Sequence, residues 1–335
     1  MEKVSNDSVE LSIILPVFNA EERIGACLEM LAKALDTKME LIIIDDGSGD
    51  GTKKVIKEFL GRNKDARIIF KEKKNGGVSS ARNYGLNIAG GEYVGFMDVD
   101  DKVAAEMYSK LLDRAVKNDL DISGCNFYEI FGDKRVNSKY HYDDNLLSGK
   151  EAVSQYLLDK ISNSVWDKIF RRGLISDIKF DESLVIGEDI LFCLQAFMRV
   201  KKVGFLNDAW YGYVQNEASA MHSKLDKFKQ YNLVIDELSD KERSELLDEY
   251  TEEFQFFKLE MELRTIHAIS MATVNRKKRL SALKSILKNI DTRAIMENKK
   301  FPRSARIEMR LLKTFGPRFH LIMMPVYKML RGAIR

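Results

Sequence analysis

Three carboxylates, Asp98, Asp100 and Asp101, fall within four positions of FMDVDD, directly after the apolar stretch EYVGF. Like charges this close repel by several kcal/mol unless water screens them or a cation sits between them. Hard divalent cations take oxygen ligands, and Mg2+ or Mn2+ in nucleotide enzymes is held by one or two carboxylates plus substrate phosphates. On an extended segment Asp98 and Asp100 project to the same side, with Asp101 on the turn that follows. The plain alternative is a solvated acidic loop. A second pair, Asp45 and Asp46, ends the β-branched run of ELIIIDDGSGDGT. A carboxylate there can accept the N3 hydrogen of a uracil or the hydroxyls of a ribose, although Asp, Gly and Ser also favour turns for their own reasons. Further along, in VIGEDILFCLQAFM, Glu188 and Asp189 precede Leu191, Leu194 and Phe197 or Met198 at helical spacing. Asp189 therefore falls at or near a helix N-terminus, where a carboxylate commonly serves as a cap.

The elements that must position these groups alternate over the first hundred residues. VELSIILPV reads as a strand ending near Pro16, and AEERIGACLEMLAKAL as a helix with Ile24, Leu28, Leu31 and Leu35 on one face. MELIIIDD, the turn GSGDG, the helix TKKVIKEFLG, the strand ARIIFKE, the helix SSARNYGLNIAGG and the strand EYVGFM follow in order. Such alternation predicts an α/β fold, a mainly parallel sheet with helices on both faces. Ligands of such sheets bind beyond the carboxyl ends of the strands. PVFN, DDGS and DVDD all sit at such ends and should converge on one crevice. Between about 116 and 220 the pattern is less regular and richer in aromatics, as in mixed α+β structure lining a site. Beyond His222 it is almost wholly helical, with Ser239 and Asp240 as cap candidates.

SIILPVFNAEERI, then ELIIIDDGSGDGT, then NGGVSSARNYGLNIAGGEYVGFMDVDD, in this order and spacing, resembles the N-terminal half of family 2 glycosyltransferases with the GT-A fold. The resemblance is strong over roughly residues 10 to 115 and continues more weakly through VWDKIF and VIGEDILF to about residue 220. It implies a Rossmann-like, mixed and mainly parallel sheet: residues 1–115 as its nucleotide-sugar half, residues 116–222 as its acceptor half, and residues 223–335 as a helical C-terminal extension. It implies that Pro16, Val17, Phe18 and Asn19 pack against the nucleotide base and ribose, that Asp46, beside Asp45, hydrogen-bonds a uracil, and that Arg82 lies near the nucleotide or pairs with a strand-end acid. Asp98, Val99 and Asp100 match the DXD motif that binds ribose and the Mn2+ or Mg2+ bridging the donor's phosphates, with Asp101 following. Asp189 matches the aspartate of the family's ED motif, the general base.

Sugar transfer from a nucleoside diphosphate passes through an oxocarbenium-like state, as glycoside chemistry does. One displacement from the far side inverts the anomeric centre, with Asp189 taking the proton of the acceptor hydroxyl. Trp166 and Lys168 of VWDKIF, with Glu188, are the acceptor-side candidates: Trp166 as a stacking platform, Lys168 toward a phosphate or acid group. A core tryptophan beside a solvated lysine is the alternative. Tyr211 and Tyr213 read as core or pocket wall, and His222 as a third metal ligand by resemblance. No QxxRW signature follows the ED motif, since QAFMRV has Gln195 and Arg199 at another spacing, so single rather than processive addition is expected. Competing readings are a sugar-phosphate nucleotidyltransferase, against which PVFN stands where a Gly- and Lys-rich phosphate loop would be, and a GT-A-fold subunit that binds partners without catalysis.

Composition sets the setting. With 45% apolar and 31% charged residues, 335 residues make a globular chain with a sizeable core. MEKVSNDSVE has no apolar run, so no secretory leader is expected, and no apolar run reaches the roughly 20 residues of a membrane span. A cytoplasmic protein is the expectation. Cys27, Cys125 and Cys193 lack CxxC spacing and read as buried thiols. The net charge of +3 conceals a polarity: residues 276–335 hold 17 Lys and Arg against Asp291, Glu297 and Glu308, leaving 37 basic and 48 acidic residues elsewhere. ARIEMRLLKTFGPRFHLIMMPVYKMLRGAIR places Ile307, Leu311 and Phe315 on one stripe with Arg306, Arg310 and Lys313 elsewhere. This suits a peripheral helix on an anionic membrane surface at the inner face. A tail packed on the body, or a homo-oligomer contact, is the alternative, and no module for nucleic acid is present.

Overall fold

The computed structural model describes residues 9–63, 65, 67–215, 230–272 and 274–334, with side chains described as far as residue 323. Four parallel strands, β1 (Leu11–Val17), β2 (Met39–Asp45), β3 (Ile68–Glu72) and β4 (Tyr93–Phe96), lie in the order β3-β2-β1-β4. Helices α1 (Glu21–Ala34), α2 (Thr52–Arg62) and α3 (Val78–Ile88) make the crossovers. Every residue of β1, β2 and β4 is buried, as strands covered on both faces require. Side-chain alternation divides β1 between the layers: Leu11, Ile13, Leu15 and Val17 pack with Ile24, Leu28 and Leu31 of α1. Ile14 faces α3 so closely that a Cβ on Gly85 would lie 2.5 Å from its Cγ2. This close approach sets the depth of α3 against the sheet, and with it the position of Arg82.

Pro16 sits inside β1, a central strand, where a missing N–H would normally break a ladder. The Ile14 carbonyl accepts from Met97 on the β4 side, so Pro16, two residues on, also faces that side. The β1–β4 ladder has already ended at Ile14 and Phe96, so no partner is left wanting.

Beyond β4 the sheet becomes mixed. The elements are β5 (Lys102–Val103), α4 (Met107–Asn118), β6 (Ile122–Phe131), β7 (Lys134–Asn137), β8 (Leu146–Ser148), α5 (Gly149–Leu157), β9 (Lys168–Arg171), α6 (Glu188–Phe197) and β10 (Lys202–Val214). Antiparallel β9 joins β4 to β6, and β10 runs parallel to β6 and antiparallel to β5. The three cysteines are free and buried, as their spacing suggests.

The described residues fall into two compact units, one within Met1–Tyr156 and Lys160–Gln215, the other within Leu157–Asp159 and Asn216–Arg335. The second is helical: α7 (Gln230–Asp236), α8 (Asp240–Met271), α9 (Arg276–Ile286), α10 (Thr292–Glu297) and α11 (Arg303–Ile334). Ser239 caps α8 as read from sequence, its hydroxyl accepting from Glu242 N at 3.1 Å while Glu242 accepts from Ser239 N at 2.8 Å. In its core, Glu308 is buried and accepts from His267 at 2.8 Å and His320 at 2.9 Å.

Candidate active site

The loops after β1 and β2 are stitched together by short polar side chains. Asn19 takes a left-handed conformation (φ 46°), tolerated by Asn. Its amide donates to Ser48 Oγ at 2.9 Å, and its Oδ1 accepts from Gly49 N at 2.9 Å. Ala20 N donates to Thr52 Oγ1 at 2.7 Å. Pro16 and Val17 are strand residues in the core, whereas Phe18 is 50% exposed at the strand tip. Of the PVFN quartet, Phe18 and Asn19 are thus the two that leave the sheet.

The paired acids after β2 do different work. Asp45 is buried and folds back on its own turn, accepting from Ser48 N at 3.3 Å. Asp46 is held by the KKNGG segment: Lys73 Nζ at 2.6 Å, Gly76 N at 3.0 Å and Gly77 N at 2.7 Å all donate to its carboxylate. The intervening Gly47 (φ 77°) cannot be replaced freely, since a Cβ would lie 2.8 Å from Asn75 N. Lys73 escaped the sequence reading. Its signal was there, a lysine in the KKNGG segment that must leave β3 beside β2.

The acidic segment differs from the extended geometry expected of it. β4 ends at Phe96, and Asp101 N donates to Asp98 O at 3.2 Å, closing a turn. Strand alternation therefore does not govern these side chains. Asp98 and Asp100 are part-exposed, and Arg23 lies 3.9 Å from Asp100. Asp101 is buried, its Oδ2 accepting from Tyr211 Oη at 2.6 Å and its Oδ1 from Val214 N at 2.8 Å. Both oxygens anchor the turn to β10, so Asp101 sits in this structure as a fastening rather than as a ligand. Burial and neighbouring Asp98 push its carboxyl above the usual range, against those two donors.

Arg82 joins the rest. Its guanidinium, 3% exposed, meets Asp98 Oδ1 at 3.0 Å through Nη2, and Asp189 Oδ1 at 2.6 Å and Glu188 Oε1 at 3.4 Å through Nη1. Neighbouring Asn83 exchanges hydrogen bonds of 2.9 Å with the backbone N–H and carbonyl of Phe180. Phe180 in turn stacks on Phe192 at 4.1 Å. The SSARN segment thereby fixes both the chain leading into α6 and the acids that begin it. Gly187 occupies the N-cap position of α6 without a side-chain cap, so Asp189 answers Arg82 instead of capping. Burial opposes charge on Arg82, but Asp189, Asp98 and Glu188 outweigh it and raise its pKa. Burial pushes Glu188 up, as does the charge of Asp189, and pushes Asp189 up to about 6 against the pull of Arg82. Three carboxyl groups thus share one guanidinium.

Two acceptor-side expectations need correction. Lys168 is 0% exposed, its Nζ donating to Asp167 Oδ1 at 2.6 Å and to the carbonyls of Ser162 and Ser164 at 2.9 Å. A cation so satisfied is a core strut. Trp166 is also buried, its ring stacked on Tyr211 at 4.2 Å and Tyr213 at 5.4 Å, so its apolar surface is already covered. His222 lies outside the described residues.

Among the described residues no group of three or more His, Cys, Asp or Glu side chains is arranged to hold a metal ion. Asp98 and Asp100 offer two part-exposed carboxylates. That is the number Mg2+ uses when substrate phosphates complete its shell. Two carboxylates suit a cation whose remaining ligands come from elsewhere.

Residues 12–178 match the family model Glycosyl transferase family 2. The chain is 30% identical over 236 residues to the uncharacterized glycosyltransferase YibD of Escherichia coli, covering 68% of this chain and 67% of that one. The chain belongs to glycosyl transferase family 2. Within the family it is 34% identical over 215 residues to the uncharacterized glycosyltransferase EpsJ of Bacillus subtilis, covering 62% of each chain. The match therefore spans less than two thirds of EpsJ's own length. The crystal structure of S. aureus TarS 1-349 in complex with UDP superposes with a TM-score of 0.65 at 21% identity, over 96% of this chain and 91% of that chain. That likeness gives the fold, GT-A with a helical C-terminal region.

Proposed function

We propose that this chain is an inverting, metal-dependent glycosyltransferase that moves one sugar from a nucleotide donor, UDP-linked, to a glycan or lipid-linked acceptor in cell-surface polysaccharide synthesis, at the cytoplasmic face of the membrane. The observation that carries the reading is the Arg82 cluster, in which one guanidinium gathers Asp98 from the β4 tip and Asp189 from the start of α6, 107 residues from Arg82 in sequence. The UDP complex of TarS supports a uridine donor. Phe18, half-exposed at the strand tip, serves as a platform for the base, with Asp46, whose N–H donates to Val17 O, beside it.

Asp189 accepts the proton of an acceptor hydroxyl as that oxygen bonds to the anomeric carbon, while the bond from that carbon to the diphosphate oxygen breaks and the nucleoside diphosphate leaves. Attack from the face opposite the departing group inverts the centre. Asp98 and Asp100 would hold a Mn2+ or Mg2+ ion, which when bound neutralises charge on a departing diphosphate. Arg82 keeps Asp98 and Asp189 in fixed relation, and Glu188, paired with the same guanidinium, is the acceptor-side candidate.

The decisive test is Asp189→Asn. Loss of a general base lowers turnover by about 10²–10⁴-fold. We expect that loss in sugar transfer, with UDP affinity by calorimetry unchanged. Turnover equal to the parent's would overturn the assignment.

A further inference from the structure

The C-terminal helix α11 has a buried face, and it is not the apolar stripe. Ala305, Glu308, Met309 and Leu312 are buried, whereas Ile307 is 41% and Phe315 58% exposed, and Ile322 beyond the kink at Gly316 is exposed as well. Beside the kink, the rings of Phe315 and Phe319 meet at 4.9 Å. At about 100° per residue, Ile307, Leu311 and Phe315 lie on the flank of the buried face, and Arg303 and Arg310 lie on the stripe's other side. The helix thus shows three sectors: one packed into its own unit, one apolar and exposed, one basic.

Charge selects the occupant. Residues 303–323 contain Arg303, Arg306, Arg310, Lys313 and Arg318 and a single acid, Glu308. That acid is turned into the core and held by His267 and His320, so it contributes no repulsion at the surface. An apolar strip bordered by cations matches the boundary between acyl chains and anionic headgroups. Like-charged copies of this face would repel one another. No helix among the described residues is long and apolar enough to cross a membrane, so the contact would be a helix lying in the surface.

We propose that the sector of Ile307, Leu311 and Phe315, bordered by Arg303 and Arg310, docks the chain on an anionic lipid surface. The inference is independent of sugar transfer and its test needs no catalysis. Full-length protein is floated with phosphatidylglycerol vesicles and with phosphatidylcholine vesicles. The parent should float with the first and not the second. I307S/F315S should stay at the bottom of the gradient, with circular dichroism and thermal midpoint like the parent's, since both side chains are exposed. R303Q/R310Q, which leaves the apolar strip intact, should bind phosphatidylglycerol on the order of 30-fold more weakly. A parent that does not float, or an I307S/F315S variant that floats undiminished, overturns the proposal. So does a concentration-dependent dimer by sedimentation that F315S dissociates without vesicle binding by the parent, because the occupant would then be a second copy.

Discussion

Arg82 is the residue on which the site's electrostatics turn. It is the buried cation shared by Asp98, Glu188 and Asp189. Removing one partner of a buried ion pair costs about 3–5 kcal/mol, because the remaining charges keep their desolvation without their attraction. Arg82→Ala is expected to lose stability in that range by urea denaturation, and a loss below about 1 kcal/mol, the level of surface pairs, would mean the cluster is solvated. Asp189 carries a pH consequence. Its carboxyl is pushed up to about 6 by burial, with Arg82 opposing. Only the unprotonated form accepts a proton, so kcat/KM should fall as pH drops through about 6 and level off above it. A rate independent of pH between 5 and 8 would contradict an essential base in that environment. Sequence placed Asp189 and Asp98 in one site through family resemblance, but left Arg82 between a nucleotide role and an ion pair. A partner 107 positions away leaves no periodicity to read, and the fold shows the ion pairs with Asp98 and Asp189.

Elements explain why the acidic turn holds its shape. Its start is the end of β4, and its far side is fastened to β10 through Asp101, Tyr211 and Val214. Tyr211→Phe keeps the stack on Trp166 and removes only the hydroxyl that donates to a buried carboxylate. Leaving such an acceptor short of a donor costs about 1–3 kcal/mol. The variant should lose that much by urea denaturation and weaken donor binding, and a variant as stable as the parent would show that Asp101 has other support. The alternating strands and helices up to β4 were legible because apolar periodicity and glycine punctuation act locally. The roles of Asp101 and Lys168 were not. Asp101 looks like its neighbours until β10 closes on it, and the carbonyls of Ser162 and Ser164 that satisfy Lys168 belong to a loop without periodic signal.

At the scale of the whole molecule, chemistry and charge are segregated. The candidate catalytic groups lie in the sheet unit, whereas the basic excess lies in residues 276–335 of the helical unit. A ligand that binds only the native state raises its melting temperature. UDP with Mn2+ is expected to raise it further than UDP alone, GDP or dTDP. Stabilisation independent of metal would remove Asp98 and Asp100 as cation ligands, and a guanine preference would remove the uracil reading of Asp46. The polarity of the tail was visible in composition. Which sector of α11 is covered was not, because Ile307 and Met309 are equally apolar and only packing against α10 and neighbouring helices distinguishes them.

The shared guanidinium also bears on ancestry. An arginine that answers three acids cannot be discarded without leaving them all stranded, so its loss should be accompanied by change at their positions. A descendant that gave up sugar chemistry and kept only the scaffold would be recognisable by the joint disappearance of Arg82, Asp98 and Asp189, while one retaining the quartet with Glu188 has reason to be read as a working enzyme.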